Sequence, residues 1–186
     1  AGARLKDGIL ALEGYGSIMA RAAAASGVVP QIAVVMGPCI GAAALAVSMA
    51  DFVIGVENTG MVLSRGADVL SAAFDVGVAK KASALNAEAG LVHFTYPDED
   101  SALAAVKRLL DYLPDNNLED APLSCGQDDM NRIAPELNDY AQARDMDKVI
   151  SAIVDGGEFL PCMAGFAPAM ITGFARVNGR SVGIVA

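Results

Sequence analysis

Residues Ile32 to Ala50 read IAVVMGPCIGAAALAVSMA and contain the clearest indication of the fold class. This stretch contains no charged residue and is about as long as the ~20 apolar residues that a membrane-spanning helix needs. A single helix is disfavoured, because Gly37, Pro38 and Gly41 cluster in its middle and an internal proline costs a helix roughly 3 kcal/mol. We therefore predict a buried strand over 31–36, a turn at Gly37-Pro38, and a small-residue helix over 41–50. This order of elements indicates an α/β fold.

Strand and helix patterns alternate on both sides of this stretch. Helices are predicted over 5–25 and 67–74, and strands over 52–56, 61–64 and 91–96. The acidic run that begins at Asp98 suits the positive end of a further helix, which Pro114 ends. The apolar face of that helix is predicted to consist of Leu103, Val106, Leu109, Leu110 and Leu113.

The acidic charge of the chain is concentrated in one segment. The 186 residues carry a net charge of -9, and 14 of the 22 acidic but only 5 of the 13 basic residues lie between Asp98 and Asp155. With its prolines and Asn-rich turn, 114–145 is predicted to be a solvated connector. A helix over 146–154 and a hairpin around Asn178-Gly179 follow, which we interpret as the start of a second unit. Both ends of the chain are expected to be cut. The shortage of basic residues argues against a nucleic-acid partner.

Side-chain chemistry is sparse in this sequence. His93 is the single histidine, and beside aromatic residues in an apolar stretch it is more typical of a packed structural residue than of a proton-transfer group. With one histidine and no Cys-x-x-Cys pair, a zinc site is not expected, so no metal is predicted. The three cysteines, Cys39, Cys125 and Cys162, fit reduced thiols of a cytoplasmic protein.

Because the side chains offer no clear catalytic group, we consider backbone N–H groups as donors, and two glycine-containing stretches could supply them. These stretches are Ala1-Gly2-Ala3-Arg4, before the first helix, and 37–43, between a strand and a helix. Both place small residues where N–H groups emerge at a helix N-terminus. Two such groups converging on one carbonyl oxygen would form an oxyanion hole. The alternative, ordinary helix caps with close packing, is favoured by these residues considered alone.

The sequence resembles the carboxyltransferase subunits of biotin-dependent acyl-CoA carboxylases and decarboxylases, with the propionyl-CoA carboxylase β-subunit group as the most similar. The resemblance rests on AGARLKDG at 1–8, SGVVPQI at 26–32, MGPC at 36–39, DYLP at 111–114, RIAPEL at 132–137 and GFARVNGRSVGIVA at 173–186. It implies a crotonase-like (ClpP/crotonase) ββα superhelix. In these terms 1–113 is the second half of an N-terminal crotonase-like domain, 114–145 the interdomain connector, and 146–186 the beginning of a C-terminal domain.

The resemblance also implies a function and a set of site residues. The reaction moves a carboxyl group between carboxybiotin and a short acyl-CoA through an enolate held by backbone amides. Catalytic amides are then expected at Gly2, Ala3 and Gly41 or Ala42, and substrate contacts are expected at Arg4, Gly37 and Pro38. The implied cofactor is biotin on a carrier protein or domain, with a coenzyme A thioester as substrate. The implied partners are a biotin carboxyl carrier, a biotin carboxylase component and further copies of the subunit, assembled from dimers up to a hexamer.

Two departures from the family pattern keep other functions open. The glycine that usually follows the one at Gly41 is replaced by Ala42, and a usual Gly-Gly-Ala stretch is replaced by Lys80-Lys81-Ala82. The alternatives are the transferase subunit of a sodium-pumping acyl-CoA decarboxylase, and a non-catalytic paralogue that acts as an assembly partner. The interpretation as an integral membrane protein is the least favoured of the alternatives.

Overall fold

The computed structural model describes residues 5–65, 78–124, 128–129, 131–138 and 144–186. The helices are α1 (Ile9–Ala25), α2 (Ala42–Val47), α3 (Val78–Glu88), α4 (Glu99–Leu110) and α5 (Met146–Ile153). The strands are β1 (Ile32–Val35), β2 (Pro38–Ile40), β3 (Phe52–Val56), β4 (Met61–Leu63), β5 (Phe94–Tyr96), β6 (Phe159–Cys162), β7 (Thr172–Val177) and β8 (Arg180–Val185). Short 3-10 turns lie at Leu5–Asp7, Pro135–Asn138 and Asp155–Gly157.

The strands form three small sheets. The first sheet is parallel with the order β1-β3-β5, and Val34 lies beside Ile54, which in turn lies beside Phe94. The second sheet is the parallel pair β2-β4, and the third sheet is antiparallel with the order β6-β7-β8. The chain thus places a strand in the first sheet, the next strand in the second sheet, and then a helix. This repeat confirms the predicted α/β class.

The stretch 32–50 contains two strands and a helix. The predicted strand is β1, but the predicted turn at Gly37-Pro38 is wrong, because Pro38 is the first residue of β2. A proline is tolerated there because it opens the strand and β2 pairs with β4 alone among the described strands. The helix is shorter than predicted and ends before Ser48, whose hydroxyl donates to the Leu45 carbonyl (2.9 Å). Within the described ranges, no helix is long and apolar enough to cross a membrane.

Most of the other predicted elements are confirmed. The strands over 52–56 and 61–64 are β3 and β4, the helix after Asp98 is α4, and the Asn178-Gly179 hairpin is β7-β8. Asp98 caps α4, because its carboxylate accepts a hydrogen bond from the Ser101 N–H (2.7 Å). The predicted helix over 67–74 lies outside the described residues.

The buried face of α4 agrees with the prediction in part, because Leu109 is buried and Val106 and Leu113 pack against the same apolar cluster. Leu103 and Leu110 are 47% and 48% exposed, whereas Ala102, Ala105 and Leu109 are buried. The helix contacts the first sheet through its small residues, which let its backbone approach the strands closely. Leucine spacing alone therefore placed the packed face slightly too far around the helix.

Two apolar clusters lie on opposite sides of β3, since successive side chains of a strand point to opposite faces. Ile54 belongs to the cluster with Phe94, Leu109, Tyr112 and Leu160, and Val53 belongs to the other. That second cluster consists of Val35, Cys39, Ala43, Ala44, Val53, Val62 and Val92. The first cluster includes Leu160 of β6, so β6 packs against the first sheet and α4.

The crossing from the first sheet to the second sheet leaves no room for a side chain at Gly60. A Cβ there would lie 2.2 Å from the Val35 carbonyl oxygen and 2.8 Å from the Val56 nitrogen. The Gly60 N–H donates to the Val56 carbonyl (2.8 Å), which fixes the backbone at this point. The chain leaves the first sheet after β1 and after β3, and both segments come together at Gly60, which has no side chain.

We predict that Gly60→Ala lowers the free energy of unfolding by at least about 2 kcal/mol, because the added methyl collides with backbone atoms rather than with movable side chains. Urea denaturation of the complete protein, followed by circular dichroism, measures this. Gly183→Ala is the matched control, since a Cβ at Gly183 has no neighbour within 4 Å and should change stability by less than about 1 kcal/mol. Equal effects of the two substitutions would contradict the packing described at Gly60.

Candidate active site

The segment between β1 and α2 is held by the second sheet. The Met61 N–H donates to the Gly37 carbonyl (3.4 Å), and the Gly41 N–H donates to the Leu63 carbonyl (3.0 Å). Gly41 has φ 67 and ψ -126, a conformation that L side chains rarely adopt and that turns the chain from β2 into α2. The Gly41 N–H is thus already paired with β4 in this arrangement.

Ala42 begins α2 and has a different hydrogen-bond environment. The first N–H groups of a helix have no acceptor within the helix. In α2 the helical ladder starts with the Leu45 N–H, which donates to the Gly41 carbonyl (3.2 Å). Ala42 is partly exposed, while Ala43 and Ala44 are buried in the second cluster. Among the described residues the Ala42 N–H has no hydrogen-bond acceptor, and the small methyl group of Ala42 leaves the backbone accessible, so this N–H is the candidate donor of the segment.

The remaining predicted site residues fall into two groups. Pro38 is exposed and Gly37 is partly buried, and both lie on the chain between β1 and α2. Gly2, Ala3 and Arg4 lie outside the described residues. The structure therefore brings Gly37, Pro38, Gly41 and Ala42 together along one short segment.

Asn86 is a polar residue near this segment that the sequence analysis missed. Its side chain is 9% exposed and binds both backbone groups of Val62, with Nδ2 donating to the Val62 carbonyl (2.9 Å) and Oδ1 accepting from the Val62 N–H (2.9 Å). Val62 lies in β4, next to the Leu63 whose carbonyl holds Gly41. In the sequence, Asn86 is distinguished only as a residue of low helix propensity inside a predominantly helix-forming stretch.

His93 has the structural role that the sequence predicts. Its Nδ1 accepts a hydrogen bond from the Val53 N–H (2.9 Å), and its own backbone N–H donates to the Val53 carbonyl (2.8 Å). The ring meets Phe52 edge-on at 6.0 Å. Burial lowers the pKa of His93 below its ordinary value of 6.5. The neutral imidazole thus ties the residues before β5 to β3.

The described cysteines are poorly suited to nucleophilic chemistry. Cys39 is buried in the second cluster, and burial raises the pKa of its thiol. Burial also raises the pKa of Cys162 to about 11. Both thiols are therefore protonated at neutral pH, whereas the thiolate is the nucleophile. Cys125 lies outside the described residues, and no group of potential metal ligands occurs within the part of the chain that the structure describes.

A cavity of about 490 Å³ is lined by the β7-β8 turn, the end of α5 and residues of the acidic segment 124–134, and it does not include α2. Its charged groups are internally paired. Asp155 accepts hydrogen bonds from the Asn178 N–H (2.9 Å) and the Gly179 N–H (2.6 Å), and Asp128 forms an ion pair with Arg132 (2.7 Å). The acidic segment is joined to the 3-10 turn by the Gly156 N–H, which donates to Asp128 (2.9 Å), and to the hairpin by the Ser124 N–H, which donates to the Gly179 carbonyl (3.0 Å). The charged groups around this cavity therefore have a structural role.

Comparison with known proteins identifies the family. The model of the carboxyl transferase domain matches residues 1–186, the whole chain. The chain belongs to the carboxyl transferase domain family.

Two relatives illustrate the similarity within the carboxyl transferase domain family. The methylmalonyl-CoA decarboxylase subunit alpha of Veillonella parvula is 40% identical over 194 residues, which cover 100% of this chain and 38% of the relative. The methylmalonyl-CoA carboxyltransferase 12S subunit of Propionibacterium freudenreichii subsp. shermanii is 39% identical over 198 residues, which cover 100% of this chain and 37% of the relative. This carboxyl transferase chain thus spans less than two fifths of their length.

A solved structure confirms the fold predicted from the resemblance. The crystal structure of the transcarboxylase 12S hexamer, with methylmalonyl-coenzyme A and methylmalonic acid bound, matches with a TM-score of 0.90 and 36% identity. The match covers 100% of this chain and 37% of that one. The carboxyl transferase chain therefore has the crotonase-like α/β fold, over part of a longer architecture.

The pKa of His93 predicts an acid-sensitive fold. Because the folded protein holds His93 neutral while the unfolded chain protonates near pH 6.5, the stability from the Val53–His93 bond is fully present above that pH and is lost as the pH falls below it. We expect thermal unfolding of the complete protein to shift to lower temperature between about pH 7.5 and about pH 5.5. In His93→Asn, the amide oxygen still accepts from Val53 without titrating, so this shift should become smaller. An unchanged shift would assign the acid sensitivity to other groups.

Proposed function

We propose that this chain is part of an enzyme that transfers a carboxyl group between biotin and a short acyl-CoA. The observation that carries the proposal is the similarity, over every residue of the chain, to a transcarboxylase 12S structure that binds methylmalonyl-coenzyme A. Both relatives described above are named for reactions of methylmalonyl-CoA. The substrate class is therefore a short-chain acyl-CoA.

The residues of this chain fit a role in stabilising charge. Abstraction of a proton or loss of a carboxyl group at the α-carbon of an acyl-CoA places negative charge on the thioester oxygen. An N–H group already pointing at that oxygen stabilises this charge without having to reorganise. We assign that role to Ala42, because the Gly41 N–H is occupied by Leu63 (3.0 Å) and Gly41 instead sets the direction in which α2 begins.

The other site residues remain part of the proposal. Gly2 and Ala3 contribute a second N–H to the same oxygen, and Arg4 positions the substrate. Gly37 and Pro38 line the approach of the acyl-CoA to Ala42, and the exposure of Pro38 supports this role. Biotin, attached to a separate carrier, supplies the carboxyl group and the basic group of the reaction. The carrier therefore approaches a site in which this chain binds and orients the thioester.

The domain division and the partners are proposed on the same basis. Residues 1–113 form the second half of an N-terminal crotonase-like domain, 114–145 the connector, and 146–186 the beginning of a C-terminal domain. The partners are a biotin carboxyl carrier, a biotin carboxylase component and further copies of the subunit. Helix α1 supports self-association, since none of its 17 residues is buried and Ile9 is 82% exposed. The proposed compartment is the cytoplasm, where reduced cysteines persist.

The decarboxylase relative favours a second candidate. Its 40% identity supports a subunit that removes the carboxyl group from methylmalonyl-CoA. The sodium-pumping complex is the part of this candidate that follows from the family resemblance alone. Both candidates use the same charge-stabilising site and differ in the direction of the reaction.

A third candidate, the non-catalytic paralogue, rests on the alanine-rich start of α2 and on the loss of the glycines at 80–81. Calorimetric titration of the complete protein with propionyl-CoA distinguishes this candidate, which predicts that no heat of binding is observed.

The Ala42 N–H is testable by Ala42→Pro in the complete protein. Proline fits the first position of a helix, so this change removes the donor while preserving α2. We expect kcat for carboxyl transfer between methylmalonyl-CoA and a biotinylated carrier to fall by about 10²–10³, with KM little changed.

Ser48→Ala is the control for damage to the helix itself. It removes the hydroxyl bond to Leu45 at the other end of α2 and should leave kcat unchanged. A near-normal kcat in Ala42→Pro would reject Ala42 as the donor. Absence of biotin-dependent turnover by the unmodified protein with methylmalonyl-CoA, propionyl-CoA and acetyl-CoA, tested in both directions, would reject the proposed reaction.

A further inference from the structure

The second sheet is completed by a side chain. Strand β4 pairs through its backbone with β2, and its other edge is paired by the amide of Asn86. Nδ2 and Oδ1 of Asn86 bind the carbonyl and the N–H of Val62, each at 2.9 Å. This pattern of one donor and one acceptor is what a neighbouring strand would offer. Asn86 thus takes the place of a third strand at this edge.

The backbone of Asn86 is itself fixed. Its carbonyl accepts from the N–H groups of Leu91 (2.9 Å) and Val92 (3.1 Å) where α3 ends. Val92 is buried in the second cluster together with Val62 and Ala43. The amide of Asn86 is therefore held against β4 by α3, by the turn that follows α3 and by the surrounding apolar packing.

A short series of bonds leads from Asn86 to the start of α2. Asn86 fixes Val62, and the carbonyl of the next residue, Leu63, accepts from the Gly41 N–H (3.0 Å). Gly41 immediately precedes Ala42 and sets the direction of α2. The position of the Ala42 N–H thus depends on the position of β4, and Asn86 binds the edge of β4 that β2 leaves free.

We propose that Asn86 is a positioning residue for acyl-CoA carboxyl transfer, acting through β4 and Gly41 on the N–H group of Ala42. This inference rests on the proposed function. Asn86 does not touch the substrate, so its loss should affect the charge that develops during the reaction more than the initial binding of acyl-CoA. The expected signature is a lower kcat with an unchanged KM.

The first test is Asn86→Leu in the complete protein. It removes both bonds to Val62 and replaces the amide with an apolar side chain of similar size. With methylmalonyl-CoA and a biotinylated carrier, we expect kcat to fall by about 10- to 100-fold, because the donor is displaced rather than deleted. Thr172→Val is the matched control, since it removes a hydroxyl bond to the Cys162 carbonyl (2.7 Å) in the third sheet and should leave kcat unchanged. A normal kcat in Asn86→Leu, or an equal loss in Thr172→Val, would overturn the proposal.

The second test is Asn86→Asp, a smaller change that can be studied if the leucine variant does not fold. A protonated carboxyl group offers the same donor and acceptor as the amide, whereas a carboxylate places a second negative oxygen against the Val62 carbonyl. Burial and the facing Val62 carbonyl should raise the pKa of the introduced carboxyl group above its ordinary value. We therefore expect kcat relative to the unmodified protein to be near normal at about pH 5.5 and to fall roughly tenfold by about pH 8.5, with KM constant. A ratio that stays near one at both pH values would overturn the proposal.

A third measurement separates the positioning of Ala42 from the reaction. Hydrogen exchange of the Gly41 amide should be at least about tenfold faster in Asn86→Leu, or in Asn86→Asp at high pH, while exchange within α4 is unchanged. Faster exchange together with an inactive unmodified protein would reject the carboxyl-transfer function but retain the structural coupling. Unchanged exchange at Gly41 would reject the coupling, whatever the activity.

Discussion

The backbone at Gly60 approaches the ends of β1 and β3 so closely that no side chain fits there, and this contact determines how the first and second sheets meet. The chain leaves the first sheet twice, after β1 and after β3, and both exits pass this point. A side chain at Gly60 would collide with the Val35 carbonyl. Without one, β2 and β4 can lie side by side as the second sheet. That pairing places the Leu63 carbonyl where it receives the Gly41 N–H and so fixes where α2 begins.

Small residues serve two purposes in this region. Ala43 and Ala44 let α2 pack directly on Val35, Cys39 and Val62, which anchors the helix in the second cluster. Ala42, the residue before them, keeps a backbone donor near the surface. Charge on the oxygen of an acyl thioester is stabilised by such a donor, and under the proposed function the base would come from biotin rather than from a side chain of this segment. The protonated Cys39 and the structurally bonded His93 agree with a site that stabilises charge through its backbone.

The sequence was sufficient to predict the elements whose patterns are local. The charge-free run with Gly37 and Gly41 indicated a strand followed by a helix, and Asn178-Gly179 indicated the hairpin. It was insufficient where a long-range contact decides the outcome. Pro38 starts a strand because β4 lies beside it. Strand β6 was missed because it is short and contains Pro161, so that only its pairing with β7 identifies it as a strand.

The candidate site shows the same limit. The resemblance to the family directed attention to Gly41 and Ala42, but only the backbone geometry distinguishes the occupied N–H of Gly41 from that of Ala42. Asn86 could not be found from the sequence, because its importance comes from facing Val62, which is 24 residues away in the chain. A weak helix former inside a helix is common and does not by itself indicate a buried amide.

Whether the N–H of Ala42 holds the thioester oxygen of an acyl-CoA can be observed in a crystal structure of the complete protein with methylmalonyl-CoA bound. We expect the thioester oxygen to lie about 2.7–3.1 Å from the Ala42 nitrogen, with the Gly41 N–H still bonded to Leu63. A thioester bound elsewhere, or held by the N–H of Gly41 after its release from Leu63, would show that Ala42 is not the donor.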